Sequence, residues 1–115
     1  MSYIKNISPE KILTLAGEIT AADGQIVSKT LAQNAAVTMT LFAFAKGEEI
    51  STHVSEGDAL VTVLDGTGRF TVDGKDYLLN QGESLLMPAL KPHAVAAAEA
   101  FKMLLVVVLP PSAAK

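Results

Sequence analysis

Cysteine and tryptophan are absent from the 115 residues, and histidine occurs only twice, as His53 and His93. The lack of thiols excludes disulfides, cysteine-ligated zinc, iron–sulfur centres and thiol catalysis. Any transition-metal site must therefore be assembled from two imidazoles and oxygen donors. Positive charge is also in short supply. Nine Lys and Arg face twelve Asp and Glu, for a net charge of -3, and the basic residues are scattered. Nucleic acid is not an expected partner, because duplex binding depends on clustered cations that neutralise phosphates. Long apolar runs are missing too. The longest, Leu104 to Leu109, is far too short to cross a bilayer, and the start MSYIKNISPE lacks a charged segment followed by an apolar stretch of the kind that directs secretion. The expectation is a cytoplasmic protein with no membrane partner.

What is present is apolar content of 50% in a length suited to one domain with one core. Residues 1–24 read as an N-terminal segment packing on the body of the domain or on a partner subunit. Within it, Ser8-Pro9-Glu10 sets a capping residue before a proline at the first helical position, and Ile12 and Leu15 are spaced to face a core. A short helical turn is expected there. Residues 25–109 are the main body, and residues 110–115 read as a disordered tail.

From Gln25 the pattern turns to short apolar or alternating runs separated by turns every 8–12 residues, the signature of an all-β sandwich or barrel. Strands are expected near 26–32, 37–45, 49–54, 59–64, 68–72, 75–79, 84–87, 92–98 and 101–109. Asp73-Gly74 marks a tight hairpin, since both positions tolerate positive φ. Gly66-Thr67-Gly68 lacks the third glycine and following helix of a dinucleotide-binding loop. Strands 59–64 and 101–109 are apolar on both faces and so are expected to lie between two layers. Leu104 to Val108 would suit sheets packed across a two-fold axis, which makes a homodimer the expected assembly.

Two stretches resemble the motifs of the cupin family. The first runs from Gly47 through His53, Ser55 and Ala59 to Gly66, where the usual pattern is glycine, histidine, histidine, glutamate and glycine at the same intervals. The second keeps Gly82, Pro88 and His93, with Leu90 where glycine is usual. The resemblance covers about residues 35–109 and implies a jelly-roll barrel, the double-stranded β-helix. It also implies a divalent-metal site (zinc, iron, nickel or manganese) in which His53 and His93 are the candidate ligands. Ser55 and Ala59 occupy the positions of two further ligands and supply neither an imidazole nor a carboxylate. Asp58, one residue from the glutamate position, is expected to face the other way as a turn residue at the start of a strand.

The leading expectation is thus a small-molecule-binding protein whose barrel pocket is built around His53, Ser55 and His93. Met87 is the first candidate for its apolar lining, with Phe42 and Met103 beside it. Two alternatives stand beside it. One is a metal-dependent enzyme of dioxygenase, decarboxylase or isomerase type using His53 and His93; the other is a non-catalytic sensor or assembly module. Sequence alone leaves open whether the protein is an enzyme.

Overall fold

The computed structural model describes residues 3–111. Nine strands follow one another: β1 (Ile26–Gln33), β2 (Val37–Phe44), β3 (Glu49–His53), β4 (Asp58–Asp65), β5 (Thr67–Val72), β6 (Lys75–Asn80), β7 (Ser84–Met87), β8 (His93–Ala96) and β9 (Phe101–Val108). All nine fall where alternation and turn residues predict them. The β5–β6 hairpin turns on Asp73 (φ 51°) and Gly74 (φ 81°), both left-handed as the Asp-Gly pair requires.

The strands form two antiparallel sheets, one ordered β1-β2-β9-β4-β7 and the other β3-β8-β5-β6. Sequential strands repeatedly cross from one sheet to the other, which makes this the all-β jelly roll that the sequence leads one to expect. Between the sheets lies the main core. Ala59, Val61, Val63, Phe44, Phe101 and Met103 come from one side and Phe70, Val72, Leu79 and Val95 from the other. At one end three aromatic rings close the barrel: Phe44 stacks on Phe101 with centroids 4.7 Å apart, and Phe70 meets Phe101 edge-on at 5.9 Å. Glycine is required beside them. A Cβ on Gly68 would come within 2.8 Å of the Phe101 ring, and one on Gly66 (φ 79°) would collide with the Ala100 carbonyl.

A second, smaller core lies on the outer face of the five-stranded sheet. Leu41 and Ala43, two of the outward residues of β2, are buried together with Ile19 and Leu31. Ile7, Leu15 and Ala21 of the N-terminal segment pack over them. Polar contacts fasten this cover: the Lys102 ammonium donates to the Ala16 carbonyl at 2.7 Å, and Lys29 donates to the Glu18 carbonyl at 3.2 Å while pairing with its carboxylate. The second layer expected outside β4 and β9 is therefore partly the chain's own start. It covers Leu64 and Leu104 but leaves Leu60, Leu86 and Val108 exposed.

The expected helical turn is displaced. Glu10 has a left-handed backbone (φ 59°), which no helix started at Pro9 can accommodate, and the single turn observed is a 3₁₀ turn over Leu15–Glu18. Ile12 does not face a core but is fully exposed, whereas Leu15 does pack inward. Of the expected disordered tail, residues 112–115 lie outside the described residues. Among the described residues no helix is long and apolar enough to cross a membrane.

Candidate functional site

His53 and His93 meet across the pairing of β3 with β8, as directly opposed residues. This depends on an irregularity. Ile50 opposes Val95 and His53 opposes His93, so three steps along β3 match two along β8. Ile50 packs against the main core. On a regular strand a residue three positions away would point outward, and the bulge at Ser51-Thr52 turns His53 back to the inner side.

The rings lie 4.2 Å apart between centroids at an interplanar angle of 65°. His93 is 4% exposed, while His53, on an edge strand, is open to solvent. Each ring is oriented by a backbone carbonyl two residues back: His53 Nδ1 lies 3.1 Å from the Ser51 oxygen, and His93 Nδ1 3.2 Å from the Lys91 oxygen. A carbonyl only accepts, so in both contacts Nδ1 carries the hydrogen and, in the neutral ring, Nε2 keeps its lone pair. Burial holds the His93 pKa below its ordinary value of 6.5; the Lys91 carbonyl opposes that shift and the neighbouring His53 adds to it. The pair therefore presents two nitrogen acceptors, with His93 favoured in its neutral form.

Ser55 does not share a strand with His53, because β3 ends at His53. Ser55 lies in the following turn, where its Oγ accepts the Gly57 N–H at 3.2 Å. Its carbonyl accepts the Leu90 N–H at 2.8 Å, latching this turn to the loop that carries Pro88 and leads to His93. Asp58 is outward-facing as expected, and its carboxylate makes the parallel latch, accepting the Ala89 N–H at 2.8 Å. Leu90, at the position where the cupin motif has glycine, holds the left-handed conformation a glycine would (φ 66°) with its side chain 69% exposed.

Ala59 is buried in the main core opposite Met87, itself 2% exposed. Met103 is equally buried, and Phe42 packs at the margin of the same core. All three apolar candidates thus point between the sheets, Met87 and Met103 as core residues.

The donor set does not fit a resident divalent metal. Two neutral imidazoles bring no negative charge, and structural and catalytic sites ordinarily use three or more protein ligands. Among the described residues no group of three or more His, Asp or Glu is placed to hold an ion.

Next to the histidines is a feature that sequence reading missed. Val72 directly opposes His93 on β5, and Val72, Asp73, Lys75, Tyr77, Leu85, Leu86, Pro88 and Lys91 line an open cavity of about 380 Å³ between the β5–β6 hairpin and β7. Its inward walls, Val72, Tyr77 and Leu85, come from the alternation of β5, β6 and β7, but only the packing of one sheet over the other brings β7 to the hairpin.

Comparison with known proteins agrees with this architecture. A conserved protein of unknown function from Streptococcus pyogenes is 46% identical and superimposes with a TM-score of 0.95, over 97% of this chain and 98% of that one. A cupin superfamily protein from Desulfitobacterium hafniense is 37% identical with a TM-score of 0.91, over 95% and 100% of the two chains. A cupin 2 conserved barrel domain protein from Leptotrichia buccalis is 48% identical with a TM-score of 0.81, matching 84% of this chain and 47% of its own. No curated protein matches. The family model of the cupin domain matches residues 40–109, well over half of the sequence, and the chain belongs to the cupin family.

Proposed function

We propose that this cupin binds a small, largely apolar molecule at the barrel mouth, using His53 and His93 as neutral acceptors or bases and no resident metal. The observation that carries the reading is the orientation of the two rings. Both Nδ1–H groups are held by backbone carbonyls, so two Nε2 lone pairs remain for a hydroxyl or amine of a ligand. Ser55 supports the site by shaping the turn after β3, and Met87, Met103 and Phe42 belong to the apolar core between the sheets.

Ligand-observed NMR with a panel of small phenols and aliphatic alcohols tests this on wild-type protein and on the double variant His53→Ala/His93→Ala. Loss of binding by a variant that still melts cooperatively supports the reading; unchanged binding overturns it. Metal analysis of untagged protein after loading with zinc, iron, nickel and manganese addresses the metal-dependent enzyme. Near one equivalent of bound ion per chain would replace the present reading with that one.

The exposed Leu60, Leu86 and Val108 on the outer face of the five-stranded sheet support a homodimer, since apolar side chains in one sheet face favour cover by a second layer. A monomer mass by light scattering at micromolar concentration would rule it out.

A further inference from the structure

We infer that the cavity between the β5–β6 hairpin and β7 selects the ligand's chemical class: besides the hydroxyl or amine that meets the histidines, the molecule has an apolar body and a single carboxylate, its charge taken up by Lys75. This deepens the ligand-binding reading of the barrel mouth and rests on it. The cavity of about 380 Å³ has a size within the range of small-molecule sites, and five of its eight lining residues, Val72, Tyr77, Leu85, Leu86 and Pro88, offer mainly carbon. Its three charged residues are not equivalent. Lys91 and Asp73 are paired with each other at 3.4 Å and cancel. Lys75 has no ion-pair partner among the described residues, and its ammonium stands 5.3 Å from the centroid of the Tyr77 ring.

Contact with the ring face restrains that ammonium at the edge of an apolar hollow. One uncompensated cation therefore sits in the cavity of a chain whose net charge is -3, so the local field opposes the global one. A dianionic phosphate would call for several donors or a guanidinium fork, and the lining holds no arginine and only one unpaired lysine. A monocarboxylate matches both the single charge and the carbon-rich walls. Val72 opposes His93 and the Lys91 carbonyl orients its ring, so an occupant of this cavity lies beside the imidazole pair.

The test is an amide-resolved NMR titration of the full chain with 3-(4-hydroxyphenyl)propionate, which carries both the hydroxyl and the carboxylate, and with its neutral amide. The acid is expected to shift the amides of Val72, Lys75, Tyr77 and Leu85 and to bind about tenfold more tightly than the amide. In Lys75→Met, which keeps the aliphatic stem, that preference should vanish while the spectrum stays dispersed, and Lys75→Arg should restore it. Equal affinity for acid and amide in wild-type protein, a preference that survives Lys75→Met, or shifts confined to another part of the chain would each overturn the assignment. His53→Ala/His93→Ala separates the two readings: an acid preference that persists with unchanged affinities removes the histidines from binding while leaving the Lys75 assignment standing.

Discussion

The two ends of the barrel are built from the same alternating strands but to opposite effect. At the closed end Phe44, Phe70 and Phe101 fill the space between the sheets, and Gly66 and Gly68 let the backbone approach them. Toward the mouth the residues facing the same space are His93, Val72, Tyr77 and Lys75, with His53 on the edge strand; the cavity there is lined by Val72, Tyr77 and Lys75 and lies beside the histidines, neither of which lines it. The closed end concentrates apolar burial and the mouth concentrates polar groups whose lone pairs or charge are not all consumed internally. Apolar burial and exposed polar chemistry thereby lie at opposite ends, so substitutions at the closed end should cost stability at any pH and those at the mouth should change it less or through pH.

The largest effect is expected at the closed end. Phe101→Ala should destabilise the fold by about 3–5 kcal/mol, the usual range for removing a buried aromatic ring from a core, read from the midpoint of urea denaturation. A loss below about 1 kcal/mol would mean that the end is not the main store of apolar burial. Gly68→Ala should follow at about 1–3 kcal/mol, because the new methyl group meets the Phe101 ring and must be accommodated by a shift.

At the mouth the expected effect is a dependence on pH. His93 has a lowered pKa in the folded protein, so the unfolded chain takes up a proton first as pH falls. This contribution to stability is complete above about 6.5, the ordinary value, and is lost as pH drops from there toward the folded-state pKa. Wild-type melting temperature should thus decline with acidification through this window, and His93→Gln should flatten the decline. An identical pH profile in the variant would contradict burial as the cause. The smallest effect belongs to Leu90→Gly. Relief of a left-handed leucine is worth about 1–2 kcal/mol, while the added freedom of glycine in the unfolded chain offsets about 0.5–1 kcal/mol. A net gain of about 0.5 kcal/mol is expected, and a clear loss would show that the exposed leucine side chain has a packing role.

Strand order along the chain was legible from alternation and turn chemistry, because both are local: a period of two, and residues such as Asp73-Gly74 that accept positive φ. The positions of His53 and His93 in the motifs also announced their meeting. Three things were not legible. The bulge that re-aims His53 depends on what β3 pairs with, and periodicity along one strand carries no record of a partner's register. The helical signal at Ser8-Pro9 lost to tertiary packing, since laying Ile7, Leu15 and Ile19 on the outer sheet face requires the chain to bend at Glu10. The cavity at Lys75 and Tyr77 joins residues from the β5–β6 hairpin and β7, and its open volume follows from the angle between elements, which no single segment encodes.

The cover laid by Ile7, Leu15, Ile19 and Ala21 over Leu31, Leu41 and Ala43 places the start of the folding unit well ahead of the start of the family pattern at residue 40. A fragment cut at that boundary would lose β1 and the first three residues of β2, leaving the rest of β2 as an edge with newly unpaired amides beside a bare apolar surface, the combination that drives strand-to-strand association. Removing residues 1–39 should therefore lower solubility more than any single substitution at the mouth.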